Sequence, residues 1–390
     1  MTNKPTQLKF LKDVVVPYFS AWLPYFVALC VTWPIQKIVR IKQTIIKVQQ
    51  PNDFKQPLLC LEAGEKGWEI IEYKELYQSA LEYLGESRVV RFVVSPDKPY
   101  LEQLESFLDQ HRVTHYGWSP RTGEQHWFKG LIEALQISLM LSKRGIVPIA
   151  FLTDMLVRRW RAKAVMVTAA RGVVVTLMTP TDVSIMCPHR RFVGPYIMPF
   201  SVQTLQHLIK MRQSVNNVGS AQDAVVLGAL YEPRKSIVES IQAKLQEQGH
   251  DLLISGRSLD GARSSDDDYW SKMINSKMVL TTSNVVDGGK GYDWPWKEHF
   301  VYRYLEVMAS GSLLVAPNLP GIKLYFTAGE HFVDFSSEQE AAEKIQYYLE
   351  NDTKAQEIAL QGFQRAQYLI ESRSFWLGID IFLSKDGIMQ

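Results

Sequence analysis

Two glutamates, Glu298 and Glu306, stand eight positions apart in the stretch Lys297-Glu298-His299-Phe300-Val301-Tyr302-Arg303-Tyr304-Leu305-Glu306, ahead of Gly311 and the apolar run Leu313 to Ala316. On one helix, eight residues advance about two turns and 12 Å, so both carboxylates point to the same side at different depths. Ionised carboxylates accept hydrogen bonds from paired hydroxyls, and a helix N-terminus offers N–H groups and a positive dipole end to a diphosphate. On that geometry one of the two can reach a donor sugar and the other a ribose. Gly311 ends the helix, and Leu313 to Ala316 reads as a buried strand. The plainer alternative makes Glu298 a dipole partner at the helix start and Glu306 a solvated helix residue.

Further candidates sit where strands are expected to end. Gly228-Ala229-Leu230-Tyr231-Glu232-Pro233-Arg234 closes one strand and Gly256-Arg257 the next. Two guanidinium groups there can each clamp phosphate oxygens bidentately. Arg234 could equally be a surface residue at a helix start, and Arg257 an ion-pair partner of Asp266 to Asp268. The loop Ser283 to Lys297 is glycine-rich and aromatic, which lets backbone approach a ligand. Within it Lys290 suits a diphosphate, and Trp294 or Trp296 suits stacking on a base or sugar; a surface loop pinned by two tryptophans is the alternative. In the first half, Gly64 in Gly64-Glu65-Lys66-Gly67 and His115 in Thr114-His115-Tyr116-Gly117-Trp118 are expected on the acceptor side of a cleft, His115 at a strand end. A buried structural histidine fits His115 as well. Asp154, after Phe151-Leu152-Thr153, faces the acceptor as a general base, or caps a helix starting at Met155.

The elements that must position these residues alternate along the chain. Strands are expected at 58–62, 89–94, 113–118, 147–152, 173–178 and 192–198, interleaved with helices at 73–84, 100–110 and 127–142. After a polar run at 215–222, strands at 224–230, 251–255 and 278–282 alternate with helices at 235–248 and 269–275, and helices at 338–349, 353–370 and 376–383 close the chain. Alternation of this kind makes parallel sheets covered by helices, with ligands at the C-terminal ends of the strands.

The segment Tyr304-Leu305-Glu306-Val307-Met308-Ala309-Ser310-Gly311, followed by Val315-Ala316-Pro317, Pro320-Gly321, Gly329-Glu330-His331-Phe332-Val333 and the helix from Glu338, resembles the donor-nucleotide domain of group 1 glycosyltransferases. The resemblance covers roughly residues 223–370 and is nearest to the spore-maturation-protein-like branch, which often carries Gly-x-x-Tyr-x-x-Arg where Gly228, Tyr231 and Arg234 stand. It implies the GT-B fold: an α/β chain with two Rossmann-like domains facing a cleft. The expected division is an apolar, basic segment over 1–50, an acceptor domain over 51–215, a nucleotide-sugar domain over 216–375, and a helix over 376–390 crossing back to the first domain. The implied activity is transfer of a sugar from a nucleotide diphosphate donor to a hydroxyl of a glycan or lipid-linked acceptor, without metal or other cofactor. Glu306 then holds ribose hydroxyls, Glu298 the sugar, and Arg234, Arg257 and Lys290 the diphosphate. The retaining pattern often has a His where Thr153 stands, which leaves retention and inversion both open. A sugar-nucleotide epimerase of the same fold and a non-catalytic nucleotide- or partner-binding domain are the alternatives.

Composition bears on class. At 390 residues with 46% hydrophobic and 22% charged, the chain suits two domains with sizeable cores. A net charge of +2 speaks against a dedicated nucleic-acid binder. Cys30, Cys60 and Cys187 are scattered without metal-type spacing and read as reduced. Val14 to Gln36 carries no charge and is flanked by Lys4, Lys9 and Lys12 on one side and Lys37, Arg40, Lys42 and Lys47 on the other. The run is long enough to span a bilayer, but Pro17, Pro24 and Pro34 and its aromatic content argue against a clean spanning helix. Two expectations stand side by side: an anchor in or on the membrane, with the remainder on the cytoplasmic face, or an apolar segment packed against protein.

Overall fold

The expected apolar runs form strands whose neighbours all run parallel, which is why they lack polar alternation: helices cover both faces of such sheets. The computed structural model describes residues 16–49, 59–64, 71–152, 158–170, 172–177, 192–197, 199–215, 222–228, 230, 234–255, 265–282, 301–317, 319 and 322–385. They fall into two compact units, one running to Pro199 and resuming at Phe375, the other lying between Phe200 and Ser374.

The first unit contains α1 (Val16–Gln49), β1 (Leu59–Gly64), α2 (Ile71–Leu84), β2 (Val89–Val94), α3 (Tyr100–Gln110), β3 (His115–Trp118), α4 (Trp127–Arg144), β4 (Val147–Leu152), α5 (Arg158–Thr168), β5 (Val173–Leu177) and β6 (Phe192–Tyr196). Its six-stranded sheet has the order β2-β1-β3-β4-β5-β6. The second unit contains α6 (Val202–Val215), β7 (Gln222–Leu227), α7 (Arg234–Glu247), β8 (Leu252–Ser255), α8 (Asp266–Ile274), β9 (Ser276–Leu280), α9 (Arg303–Ser310), β10 (Leu313–Pro317), β11 (Val333–Phe335), α10 (Glu338–Glu350) and α11 (Asp352–Glu371). Its five strands have the order β11-β10-β9-β7-β8. Each sheet therefore places its first strand between the second and third, and the switch points lie between β1 and β3 and between β7 and β9, where open α/β sheets take ligands.

Three expectations change. The domain boundary expected at 215/216 falls before Phe200, because α6 belongs to the second unit: Phe200 stacks edge-on to Trp270 at 5.9 Å, and the Arg212 guanidinium lies against Gly311. The helix over 202–215 is not among the expected elements. The prolines do not interrupt α1, which runs 34 residues through Pro24 and Pro34. Pro24, Ala28, Thr32 and Gln36 form a buried stripe on it, and Gln36 Nε2 donates to the Ser142 carbonyl at 3.0 Å. Packing along α4 and α5 thus offsets the lost backbone bonds. The last helix, α12 (Ser374–Lys385), packs within the first unit from Phe375 onward. There Trp376 Nε1 donates to Ser79 Oγ at 2.9 Å, and Tyr83 Oη donates to Asp380 Oδ2 at 2.8 Å.

At the first switch point a carboxylate is enclosed. Glu62 on β1 is 5% exposed and accepts from the Tyr100 and Tyr116 hydroxyls, from Ser119 N–H at 2.8 Å and from Thr122 Oγ1 at 2.6 Å. Burial pushes its carboxyl above the ordinary glutamate range, and the four donors pull it back only in part. A folded-state pKa raised in this way gives stability that is fully present below the unfolded value and is lost as pH rises through the folded one. Melting wild type and Glu62→Gln across the range from the ordinary glutamate pKa to neutrality should therefore show the wild type losing stability relative to the variant. Parallel profiles would contradict this reading.

Candidate functional site

The second switch point is built around one turn. After β7 the chain passes through Gly228 at φ +98°, a left-handed conformation that side chains resist. A Cβ at this position would lie 2.5 Å from Nη2 of Arg303, so the glycine also lets a guanidinium rest against backbone. Arg303 opens α9, and Glu306 follows it one turn on, placing both on one face of the helix. Tyr269 on α8 joins them: Arg303 Nε donates to its hydroxyl at 3.2 Å, and the hydroxyl donates to Glu306 Oε2 at 2.9 Å.

Local sequence fixes each partner. Ser265 caps α8 by accepting from Asp268 N–H at 3.1 Å, and the acidic run Asp266 to Asp268 suits the positive end of that helix. Trp270, 3% exposed, anchors the next residue against Phe200. On α9 every residue from Tyr304 to Ser310 is buried, and the helix ends at Gly311 with φ +80°. Burial is the larger cause and the Glu306 charge the second in pushing the Tyr269 phenol well above its ordinary value, with Arg303 opposing. The hydroxyl therefore keeps its proton near neutrality and acts as the donor to Glu306.

Arg234, first residue of α7, is 6% exposed rather than a surface group. Its Nε donates to Thr282 Oγ1 at 3.1 Å and Nη2 to the Thr282 carbonyl at 2.7 Å. It thus clamps the chain just after β9 to the start of α7, across the switch point. Tyr304 lies close enough for the Arg234 charge to act on its phenol, which burial raises and Arg234 lowers in part; its hydroxyl donates to the Pro317 carbonyl at 3.3 Å.

The structure therefore brings Gly228, Arg234 and Glu306 to one end of one sheet. Arg257, Lys290, Glu298 and Asp154 lie outside the described residues. The one-helix geometry for Glu298 and Glu306 does not hold: α9 begins at Arg303, and Val301 is not helical. The first turn is tight, with Leu305 N–H donating to the Tyr302 carbonyl at 2.9 Å, and Tyr302 is itself buried against Phe200. That packing sets where the helix starts, so the eight-residue spacing cannot be counted in turns.

His115 is the first residue of β3 rather than at its end, which puts it away from the C-terminal edge. It is buried, with Nδ1 2.9 Å from Thr114 Oγ1. Gly64 is the last residue of β1, paired with Val94. No group of three His, Cys, Asp or Glu that could hold a metal occurs among the described residues. Arg303 and Tyr269 were not singled out in the sequence. Arg303 carried a signal, three positions before Glu306, whereas Tyr269 comes from another helix with nothing in the chain to link it.

Residues 234–374 match the family model described as glycosyl transferase-like. No curated protein matches the chain. Among solved structures the chain is similar to sucrose-phosphate synthase from Thermosynechococcus elongatus, at 13% identity over 85% of this chain and 100% of that one, with a TM-score of 0.59. It is also similar to HepE of Anabaena in complex with UDP and glucose, at 13% identity over 83% of this chain and 99% of that one, with a TM-score of 0.56. HepE in complex with UDP-glucose aligns at 11% identity over 82% and 99%, with a TM-score of 0.51. These likenesses show the fold, an α/β chain of two Rossmann-like units of the GT-B class.

Tyr269→Phe removes the hydroxyl between Arg303 and Glu306 and nothing else. Because it takes a donor from a buried carboxylate, it should cost about 1–3 kcal/mol, read as a lower urea midpoint. An unchanged midpoint would mean the hydroxyl carries no part of the bridge.

Proposed function

We propose that the chain is a glycosyltransferase that takes its sugar from a nucleotide diphosphate donor bound at the β7/β9 switch point. The observation that carries the reading is the Arg303–Tyr269–Glu306 bridge beside the left-handed turn at Gly228. It sets a carboxylate suited to ribose hydroxyls one helical turn from a guanidinium suited to phosphate oxygens. The match of residues 234–374 to the glycosyl transferase-like family, and the UDP and UDP-glucose held by HepE, support it. The Gly228-x-x-Tyr231-x-x-Arg234 turn favours the spore-maturation-protein-like branch of group 1.

In the proposed reaction the acceptor oxygen bonds to the anomeric carbon as the bond from that carbon to the diphosphate breaks. The diphosphate leaves with the electron pair, and the hydroxyl proton passes to a base, for which Asp154 is the candidate. Arg303 adds a cation that sequence reading did not supply, alongside Arg257 and Lys290, and together they balance the leaving charge without calling on a metal. Preorganised cations of this kind act where charge develops in the transition state. Glu298 faces the donor sugar, Gly64 lies on the acceptor side, and the acceptor is a hydroxyl of a glycan or lipid-linked glycan.

A panel of nucleotide sugars screened by thermal shift, followed by turnover of the stabilising donor, tests this. At least one donor should raise the wild-type melting temperature, and Glu306→Ala should weaken its binding by about tenfold to a hundredfold, as expected for loss of a hydrogen bond to a charged group. Absence of any stabilising donor for the wild type, or equal binding by the variant, would sink the proposal.

A further inference from the structure

We infer that α1 is an in-plane membrane-docking helix whose outer face seats on an anionic phospholipid surface. The inference is independent of the transferase reading. One stripe of α1, Pro24, Ala28, Thr32 and Gln36 at helical spacing, is buried and seats the helix lengthwise on α4 and α5. Across the helix from it, Leu23 is 69% exposed, Phe26 50%, Trp33 49%, Ile38 56% and Ile41 60%. Large apolar side chains exposed along about 27 Å of helix, from Leu23 to Ile41, mark an interaction face rather than scattered surface residues.

Charge decides the occupant. From Val16 to Gln49 the sequence holds no Asp or Glu and carries Lys37, Arg40, Lys42 and Lys47. Lys37 lies over the Trp33 ring, 3.9 Å from its centroid, which places an ammonium beside an aromatic residue of the type found at headgroup level. A second copy meeting this face would bring like charges together with no carboxylate on the helix to answer them, whereas anionic headgroups complement it. No helix among the described residues is long and apolar enough to cross a membrane. An amphipathic helix with an apolar face and basic residues lies in the interface plane instead.

The test uses the full chain and co-sedimentation with vesicles of phosphatidylcholine alone or with about a third phosphatidylglycerol. The chain should bind the anionic vesicles, bind neutral ones at least about tenfold more weakly, and be released by high salt or alkaline carbonate. Leu23→Ser/Phe26→Ser/Ile41→Ser should lower binding by about tenfold or more, as should Lys37→Glu/Lys42→Glu. Circular dichroism melts of both variants should match wild type, since these side chains are exposed. Failure of the folded wild type to bind anionic vesicles overturns the proposal, as does binding that neither variant changes. Retention through carbonate would overturn the in-plane geometry. A chain that sediments as a dimer, becomes monomeric in the serine variant and ignores vesicles would make the face a contact between copies instead.

Discussion

A carboxylate buried to 4% exposure must be held by donors, since leaving it unpaired costs several kcal/mol. That requirement organises the second unit. Tyr269 meets it from α8, Arg303 in turn steadies Tyr269, and the Arg303 guanidinium can reach this position only because the turn after β7 has no side chain at Gly228. Behind them α9 is flanked by the buried Tyr302 before it and by Gly311 after it, where the Arg212 guanidinium of α6 packs so closely that it would have to move to admit a Cβ. Helices α8 and α9 and the end of β7 are thus tied together by one acid and the groups that compensate it, while α6 is held to them by Arg212 at Gly311 and by Phe200 against Trp270.

The two sheets share a strand order around their switch points but fill them differently. In the first unit Glu62 is ringed by two tyrosines, a threonine and a backbone N–H, all from the protein itself. Burial raises its carboxyl, and the network ties β1 to the start of α3 and the end of β3. In the second unit the acid is bridged to a cation at a glycine turn, an arrangement that gathers opposite charges at the strand ends where a nucleotide would lie. The contrast supports placing the donor in the second unit.

The strands were legible because a parallel sheet buried on both faces leaves continuous apolar runs, and Val147 to Leu152 or Leu313 to Pro317 could hardly be otherwise. Glu306 was legible from its helix and the Gly311 stop. What escaped depended on partners distant in sequence. The i,i+8 geometry failed because the packing of Tyr302, not the local pattern, decides where α9 begins. Arg234 turned inward because Thr282, 48 positions away, accepts its bonds. Glu62 looked like the polar end of a strand, and only the fold brings Tyr100, Tyr116 and Thr122 around it. The prolines of α1 argued only against a spanning helix, and that α1 nevertheless runs through Pro24 and Pro34 rests on its seat along α4 and α5.

The central claim is that the Arg303–Tyr269–Glu306 bridge beside Gly228 is the donor site. A crystal structure of the chain grown with a stabilising nucleotide diphosphate tests it most directly. The claim predicts phosphate oxygens within hydrogen-bond distance of the Arg303 guanidinium at the Gly228 turn, with ribose hydroxyls on the Glu306 carboxylate. A nucleotide bound elsewhere, or one whose ribose makes no contact with Glu306, would contradict it.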